Sequence, residues 1–521
     1  MNTIFSLRAD PAQVGYSAHT EDGMNGPMET LKAIREYAGT RVTLGLSDDI
    51  LERFFKLDPS LPAAIKDAAR IHQQLQEEYG ELLAGDETKL VDSLQSEFIN
   101  FYPANTINPY VAMAAAGPWI ITTHGAVIHD NGGYGMLGLG HSPCLIMDAM
   151  SNTHVMANIM TPNISHARFS KRLKAEIGQL RGHCPFDKFI CMNSGSESVT
   201  VAFRISDVNA LNQTSPGGRH ANKPVKILSL VGSFHGRTDR PAQASDSCIR
   251  TYKKNLATHA SNENLITTPV NDIDALRAAY AQAEADGYFI EMMLLEPVMG
   301  EGDPGQSIDR AFYDVARELT LAHGSLLLVD SIQAGIRGTG YLSIVDYPGF
   351  EDCQEPDMET YSKALNAGQY PLSVLACNER ASQLYVRGVY GNTMTSNPRA
   401  LEVGCAVLDN LTDEIRQNIR LRGEQMVEGL KGLMVEFPEK VIHVQGTGLL
   451  FSAELDPSIE VVGFNGIETW LRKNGLGVIH GGENSLRFTP HFLLSEEEVT
   501  LLVDLVRQGI QAFMACEQAA S

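Results

Sequence analysis

The run Leu326-Leu-Leu-Val-Asp330-Ser-Ile-Gln333-Ala-Gly-Ile-Arg-Gly-Thr-Gly340, followed by Pro356-Asp357-Met-Glu-Thr-Tyr361-Ser362-Lys363, decides the reading of this chain. Four apolar residues closed by an aspartate read as a buried strand with a carboxylate at its end. Gln333 follows three residues later. Residues 358–361, interrupted by Glu359 and Thr360, read as a weaker strand with Lys363 just past it. Strands apolar on both faces belong in a mostly parallel sheet covered by helices. Ligands of such open sheets gather at the carboxyl ends of the strands, so the residues after each strand are the candidates for chemistry.

Working outward, residues 189–192, 227–231, 292–298 and 373–377 read as further strands, with helices between them. The helix over 309–323 has Asp309 as N-cap and Gly324 as stop. After 189–192 comes Asn193-Ser-Gly195-Ser196-Glu-Ser198. The amides of Gly195 and Ser196 at a helix start suit a phosphate, although the run also reads as a plain helix cap. After 227–231 comes Gly232-Ser-Phe234-His-Gly-Arg237-Thr238. Here Phe234 offers a face for a planar heterocycle, and Arg237 a fork for a carboxylate. After 292–298 begins, Glu296-Pro-Val-Met-Gly-Glu301-Gly302 places two carboxylates at a buried strand end, where one faces a cofactor pocket and the other an arginine. Each of these runs, taken alone, is an ordinary cap, core aromatic or solvated loop. So is Asp330, and a lone lysine such as Lys363 is usually solvated. Their order is what counts. A phosphate cradle, a stacking ring with arginine, paired glutamates, aspartate with glutamine and then lysine are the groups pyridoxal phosphate requires. Gly133-Tyr-Gly-Met-Leu-Gly138 also matches a dinucleotide fingerprint, but no strand–helix unit frames it and no acidic partner follows, so it reads as a glycine-rich turn.

In these motifs the chain resembles the class III (ornithine/4-aminobutyrate type) pyridoxal-phosphate aminotransferases over roughly residues 100–510. The resemblance implies an α/β, fold-type I architecture: a mostly parallel central sheet, a smaller α+β domain and a helical N-terminal extension. Residues 1–100 would form the extension and 101–164 the first part of the small domain with its linking segment. Residues 165–403 would form the cofactor-binding domain and 404–521 the rest of the small domain. It implies pyridoxal 5'-phosphate as cofactor, with Lys363 as Schiff-base lysine and Asp330 as partner of the pyridine nitrogen. Gln333 would lie near the ring hydroxyl, Gly195 and Ser196 at the phosphate, Phe234 on the ring and Glu296 in the pocket. Thr393, in Asn392-Thr-Met-Thr-Ser-Asn397-Pro398, would reach the phosphate of a neighbouring subunit, which implies a homodimer with shared active sites. Arg487 would bind the α-carboxylate of glutamate or 2-oxoglutarate, Glu301 would mask it for ω-amine substrates, and Arg237 would hold a second carboxylate. The reaction expected is transamination between an amino acid or ω-amine donor and a 2-oxo acid. An aminomutase, racemase or decarboxylase on the same groups, or an idle homologue serving as a binding partner, are the other readings.

The sequence departs from the family pattern at several points. The usual Asp-Glu-Val-Gln is Asp330-Ser331-Ile332-Gln333, so an acidic neighbour is missing. Met299 stands for a glutamine, Thr395-Ser396 for Gly-Gly, and Asp239-Arg240-Pro241 for small residues.

The remainder sets bounds. With 521 residues the chain is long enough for two to four domains of roughly 100–200 residues each. With 41 Lys+Arg against 63 Asp+Glu, the net charge of −22 speaks against nucleic acid and anionic membranes as partners. The N-terminus lacks the apolar length of a signal peptide, and the run 111–121 is too short to span a bilayer. The eight cysteines form no CxxC pair and no zinc spacing, which predicts free thiols, a cytoplasmic location and no metal. Helical spacing predicts helices over 31–37, 50–57, 63–83 and 410–436. Residues 441–452 and 486–488 read as strands. Ser495-Glu-Glu-Glu498 is a capping box opening a helix with Leu501, Leu502, Leu505 and Val506 on one face.

Overall fold

The computed structural model describes residues 26–520, apart from positions 133, 157, 158 and 262. The expectation about the first ten residues, and Gly133 of the glycine-rich run, lie outside the described residues.

Seven strands form the central sheet: β1 (Lys188–Met192), β2 (Val225–Leu230), β3 (Leu265–Thr268), β4 (Phe289–Leu295), β5 (Leu326–Asp330), β6 (Met358–Tyr361) and β7 (Ser373–Cys377). Their spatial order is β1-β7-β6-β5-β4-β2-β3. The pairs from β3 through β6 are parallel, and β7 runs antiparallel to both β6 and β1. The sheet is therefore mostly parallel, as the apolar runs predict. Strands β4 to β7 are buried at every residue, so the helices on both faces shield them from water.

Three differences from the sequence reading have local causes. Strand β4 starts three residues before the expected 292 and ends at Leu295 rather than 298. Buried Glu291, paired with Arg240, had masked the start, and Pro297 cannot donate to a ladder. The half-polar edge strand β3 carried no signal. The expected strand 441–452 is a hairpin, Val441–Thr447 and Leu450–Leu455, turning at Gly448 with φ of +54°. These two strands, with Ser485–Phe488 and Ile479–Gly481, make a separate four-stranded antiparallel sheet.

A third sheet joins Ala112–Ala116, Trp119–Thr122, Val127–Asp130 and Leu476–Gly477. Of the N-terminal helices Pro27–Tyr37, Asp48–Leu57, Ser60–Leu83 and Glu87–Gln95, Ser60–Leu83 packs on its first two strands, and Pro27–Tyr37 and Asp48–Leu57 pack against Ser60–Leu83. Leu31, Phe54, Leu61 and Ile65 share one core cluster with Trp119, whose indole Nε1 donates to Asp58 at 2.6 Å. The extension is thus built into the core.

The helix Glu496–Ala520 opens with the expected capping box: Ser495 N–H donates to Glu498 at 2.7 Å, and Glu498 N–H to Ser495 Oγ at 3.2 Å. Residues 496–516 of this helix are long and apolar enough, by composition, to cross a membrane. Its apolar stripe of Leu501, Leu502, Leu505, Val506 and Ile510 is already buried in the core. Glu498 also accepts from His129 and His491 at 2.9 Å each, a buried joint between this helix and the third sheet. Burial opposes its charge, but His491 and His129 outweigh burial and hold the carboxyl well below the usual range.

Candidate active site

The carboxyl ends of β1, β2, β4, β5 and β6 lie along one edge of the central sheet, and they bring most of the expected residues together. Asp330 closes β5 and is 3% exposed. Its Oδ2 pairs with His235 Nδ1 at 2.8 Å, and its Oδ1 accepts from the Ile332 amide at 3.2 Å. His235 in turn meets Ser229 Oγ through Nε2 at 3.1 Å. The sequence placed this imidazole within the loop after β2 but gave it no role. A buried carboxylate requires a partner, and that need was the available signal.

Lys363 begins a short turn directly after β6, with φ of +42°, a region that non-glycine residues rarely occupy. Burial, reinforced by the Arg487 guanidinium, pushes its ammonium down to about 8, while Glu301, Asp330 and Glu296 pull the other way. Gln333 is 5% exposed, and its Oε1 is buried without a partner. Gly300 packs so closely that a β-carbon there would lie 2.3 Å from the Gln333 amide carbon.

Glu296 follows β4. Its two oxygens accept from the amides of Phe234 and Gly300, both at 2.9 Å. Burial first, then Asp330, pushes this carboxyl up to about 7 against the pull of His235. Glu296 therefore ties the loop after β2 to the loop after β4. Phe234 is half-buried and lies 5.2 Å from the Arg237 guanidinium. Arg237 is exposed, reaches Cys248 Sγ at 3.4 Å and packs over Phe101 at 5.4 Å.

Gly195 and Ser196 start the helix Gly195–Thr214, whose first amides have no intrahelical partner. Glu197 caps the entry by accepting from the Asn193 and Ser194 amides at 2.9 and 3.2 Å. A β-carbon at residue 195 would lie 2.6 Å from Ile332 Cδ1, so a larger residue there would push the Ile332 side chain aside.

Arg487, on strand Ser485–Phe488, is fully buried. One terminal nitrogen bonds Glu301 at 2.9 Å and also the Gly300 carbonyl, while Nε and the other terminal nitrogen have no partner. Burial opposes the Glu301 charge, yet Arg487 and Lys363 hold that carboxyl below its ordinary value. Thr393 is the one expected residue the chain does not bring to this cluster. It is exposed, although its neighbour Asn392 donates to Glu197 at 3.0 Å.

The acidic residue missing at position 331 has a counterpart on the next strand. Val329 and Glu359 are cross-strand partners. Buried Glu359 accepts from Ser331 Oγ at 2.6 Å, Ser343 Oγ at 2.5 Å and the Ile344 amide at 2.9 Å. Burial pushes its carboxyl up to about 7. A residue that seemed to weaken β6 thus anchors the side chain of Ser331, directly after Asp330. Of the other departures, Met299 is fully buried in the main core.

Comparison with known proteins gives one family. The model of the class-III aminotransferases matches residues 101–510. Acetylornithine aminotransferase of Thermosynechococcus vestitus is 27% identical over 71% of this chain and 85% of its own length. Ornithine aminotransferase 2 of Staphylococcus aureus is 27% identical over 80% of this chain and 98% of its own. In structure, ornithine aminotransferase of Toxoplasma gondii shares the fold with a TM-score of 0.69, at 23% identity, over 85% of this chain and 99% of that one. A match over most of the chain, on a sheet whose carboxyl edge collects a lysine, a paired aspartate and a glutamine, makes this protein a member of the class-III aminotransferases, enzymes that transfer amino groups with pyridoxal phosphate.

Proposed function

We propose that the cluster at the carboxyl edge of the sheet is the active site, with Lys363, Asp330 and Gln333 at its centre. It moves an amino group from an amino acid or ω-amine donor to a 2-oxo acid such as 2-oxoglutarate. The observation that carries this reading is the buried Asp330–His235 pair beside a lysine whose ammonium is depressed to about 8. The chain's own groups fit the cofactor. The unpartnered Gln333 Oε1 offers an acceptor, the helix start at Gly195 and Ser196 offers free amides, and Asp330 offers a carboxylate for a ring nitrogen. Phe234 would pack on the ring, and Glu296 would set the positions of Phe234 and Gly300.

When bound, pyridoxal phosphate supplies an aldehyde that links to the amino nitrogen and a ring that takes up electrons released at the neighbouring carbon. Lys363 Nζ would take the proton from the carbon that bears the amino group and give it back on the far side of the nitrogen, and the depressed ammonium makes it a base near neutral pH. Asp330, held in place by His235, keeps the ring nitrogen protonated. The buried Arg487 binds the acceptor's carboxylate. Glu301 occupies it when the substrate presents an amine end, and Arg237 takes a second carboxylate from the solvent side. The relatives' names, ornithine and acetylornithine aminotransferase, support a donor of the ω-amine kind.

The same reading makes residues 165–403 the cofactor-binding domain, with 101–164 and 404–521 forming the smaller one. It makes the protein a homodimer in which the exposed Thr393 reaches the partner's site. The exposed apolar side chains Phe98, Ile99, Met160 and Met394 support such an interface, and the eight free cysteines support a reducing cytoplasm. The charge of −22 supports the absence of nucleic-acid and membrane partners.

Two measurements test this reading. Purified protein supplied with pyridoxal phosphate is expected to show a visible-edge absorption band. At least one of ornithine, lysine, 4-aminobutyrate, glutamate or a simple ω-amine bleaches it, and 2-oxoglutarate restores it. Release of the oxo product only in the presence of acceptor separates transamination from mutase or decarboxylase chemistry. No band after cofactor addition rejects the reading. The second measurement concerns pH. Only the free amine attacks an aldehyde, and burial brings the amine's titration down to about 8. Capture of pyridoxal phosphate by cofactor-free protein, trapped with borohydride, should therefore speed up about tenfold per pH unit below that value and level off above it. A rate still climbing at that slope through pH 10 would show an unperturbed lysine.

A further inference from the structure

A cavity of about 380 Å³ lies between the N-terminal extension and the two smaller sheets. The helix Glu87–Gln95 presents Val91, Leu94 and Gln95 to it, spaced as one helical face. Leu94 is 47% exposed, so this wall is an open one.

The cavity abuts the proposed site in three ways. Its wall residue Ile479 is the cross-strand partner of Arg487. Its wall residue Tyr134 places its ring 5.2 Å from the Arg487 guanidinium. One residue further on, a side chain at Gly135 would come within 3.7 Å of Lys363 Cδ. Within this segment, residues 132 and 134 line the cavity and residue 135 borders the lysine.

The lining also selects by chemistry. Two charged residues reach it, Asp130 and Arg472, and both are committed. Asp130 accepts from the Gly132 amide at 2.9 Å and pairs with His141 at 3.0 Å. Arg472 spends Nε on the Val478 carbonyl at 2.9 Å, one terminal nitrogen on the Thr106 carbonyl at 2.7 Å and the other on Glu468. Among the described lining residues, no cation is left for a distal carboxylate. A distal ammonium would displace the Asp130–His141 pair. The rest of the wall carries no charge: Leu94, Ile107, Val478, Tyr102 and Tyr110 make it aliphatic and phenolic, Gln95 and Asn100 bond each other at 3.4 Å, Thr106 Oγ1 donates to the Pro103 carbonyl at 2.8 Å, and Asn108 adds a neutral amide. Its volume falls within the range of small-molecule pockets, roughly 300–1,000 Å³.

We propose that this cavity is the tail subsite of the amino donor, and that it takes an uncharged apolar or aromatic group carried beyond the reacting amine. The extension then acts in specificity, with Leu94 and Val91 setting the depth of the subsite. The proposal rests on the active-site reading above.

The test uses holoenzyme and a graded set of primary amines, from propylamine to hexylamine and 4-phenylbutylamine, with 2-oxoglutarate as acceptor. Wild-type kcat/KM should rise at least tenfold along the set. Leu94→Trp, at a half-exposed position that tolerates bulk, should cancel that rise. Leu94→Ala should shift the optimum to longer amines. A chain-length profile unchanged in both variants overturns the tail subsite while leaving transamination intact. A flat wild-type profile overturns it as well. Failure of every amine to bleach the cofactor band would instead reject the active-site reading, and the subsite with it.

Discussion

Replacing Lys363 with alanine should abolish transamination, with kcat lowered at least about a thousandfold in both half-reactions. Positioned general acid–base catalysis alone is worth roughly 10²–10⁴ in rate, and Lys363 is also the lysine on which the charges of Glu301, Asp330 and Glu296 converge. The fold should survive the change. The amine is buried enough to lose charge affinity, so removing it relieves a desolvation cost, and the melting temperature should stay level or rise. Lys363→Arg separates charge from proton transfer. A guanidinium keeps the positive charge but stays protonated at any working pH, so it can neither attack an aldehyde nor accept a proton. Both variants should be equally inert in single-turnover bleaching by a good donor. Wild-type turnover in either would remove Lys363 from the mechanism.

The candidate site was legible in the sequence because its groups sit at or just past the ends of strands, where an apolar run stops. Asp330, Lys363, Glu296 and Gly195 all follow that rule. What escaped were partners that act across strands. His235 was visible in its loop, but only the fold carries it to Asp330. Glu359 read as a flaw in β6, because a carboxylate inside a strand normally argues against burial. Its partners Ser331 and Ser343 come from two other segments. A buried carboxylate thus meets Ser331 from one strand away, a contact that local spacing in a single sequence does not encode. The third sheet was missed because Ala112–Ala116 lacks β-branched residues and the turn at Gly117 interrupts the apolar run. Its role as the seat of the extension rests on long-range burial around Trp119, which local spacing does not encode.

The same cross-strand logic sets the second large effect, expected for Asp330→Asn. The amide keeps the shape and removes the charge. Asp330 is 3% exposed and its Oδ2 lies 2.8 Å from His235 Nδ1, so the carboxylate acts in a dry setting where charge counts strongly. Breaking a buried pair by neutralising one partner costs about 3–5 kcal/mol, and a loss of that order in the transition state lowers kcat by roughly 10²–10⁴. The loss should fall on kcat more than on KM, because Arg487, Glu301 and Arg237, the groups proposed for the substrate's ends, are unchanged. Cofactor should still be captured, since Lys363 and the helix start at Gly195 are intact. His235→Asn should give a smaller deficit, about tenfold, as Asp330 keeps its charge and loses only its orientation. A double variant no slower than Asp330→Asn would show the histidine working through the aspartate. Equal and additive losses would mean that His235 meets the substrate or cofactor itself. An Asp330→Asn enzyme with wild-type kcat would show that the ring nitrogen needs no anion here, and the pairing assigned to Asp330 would fall.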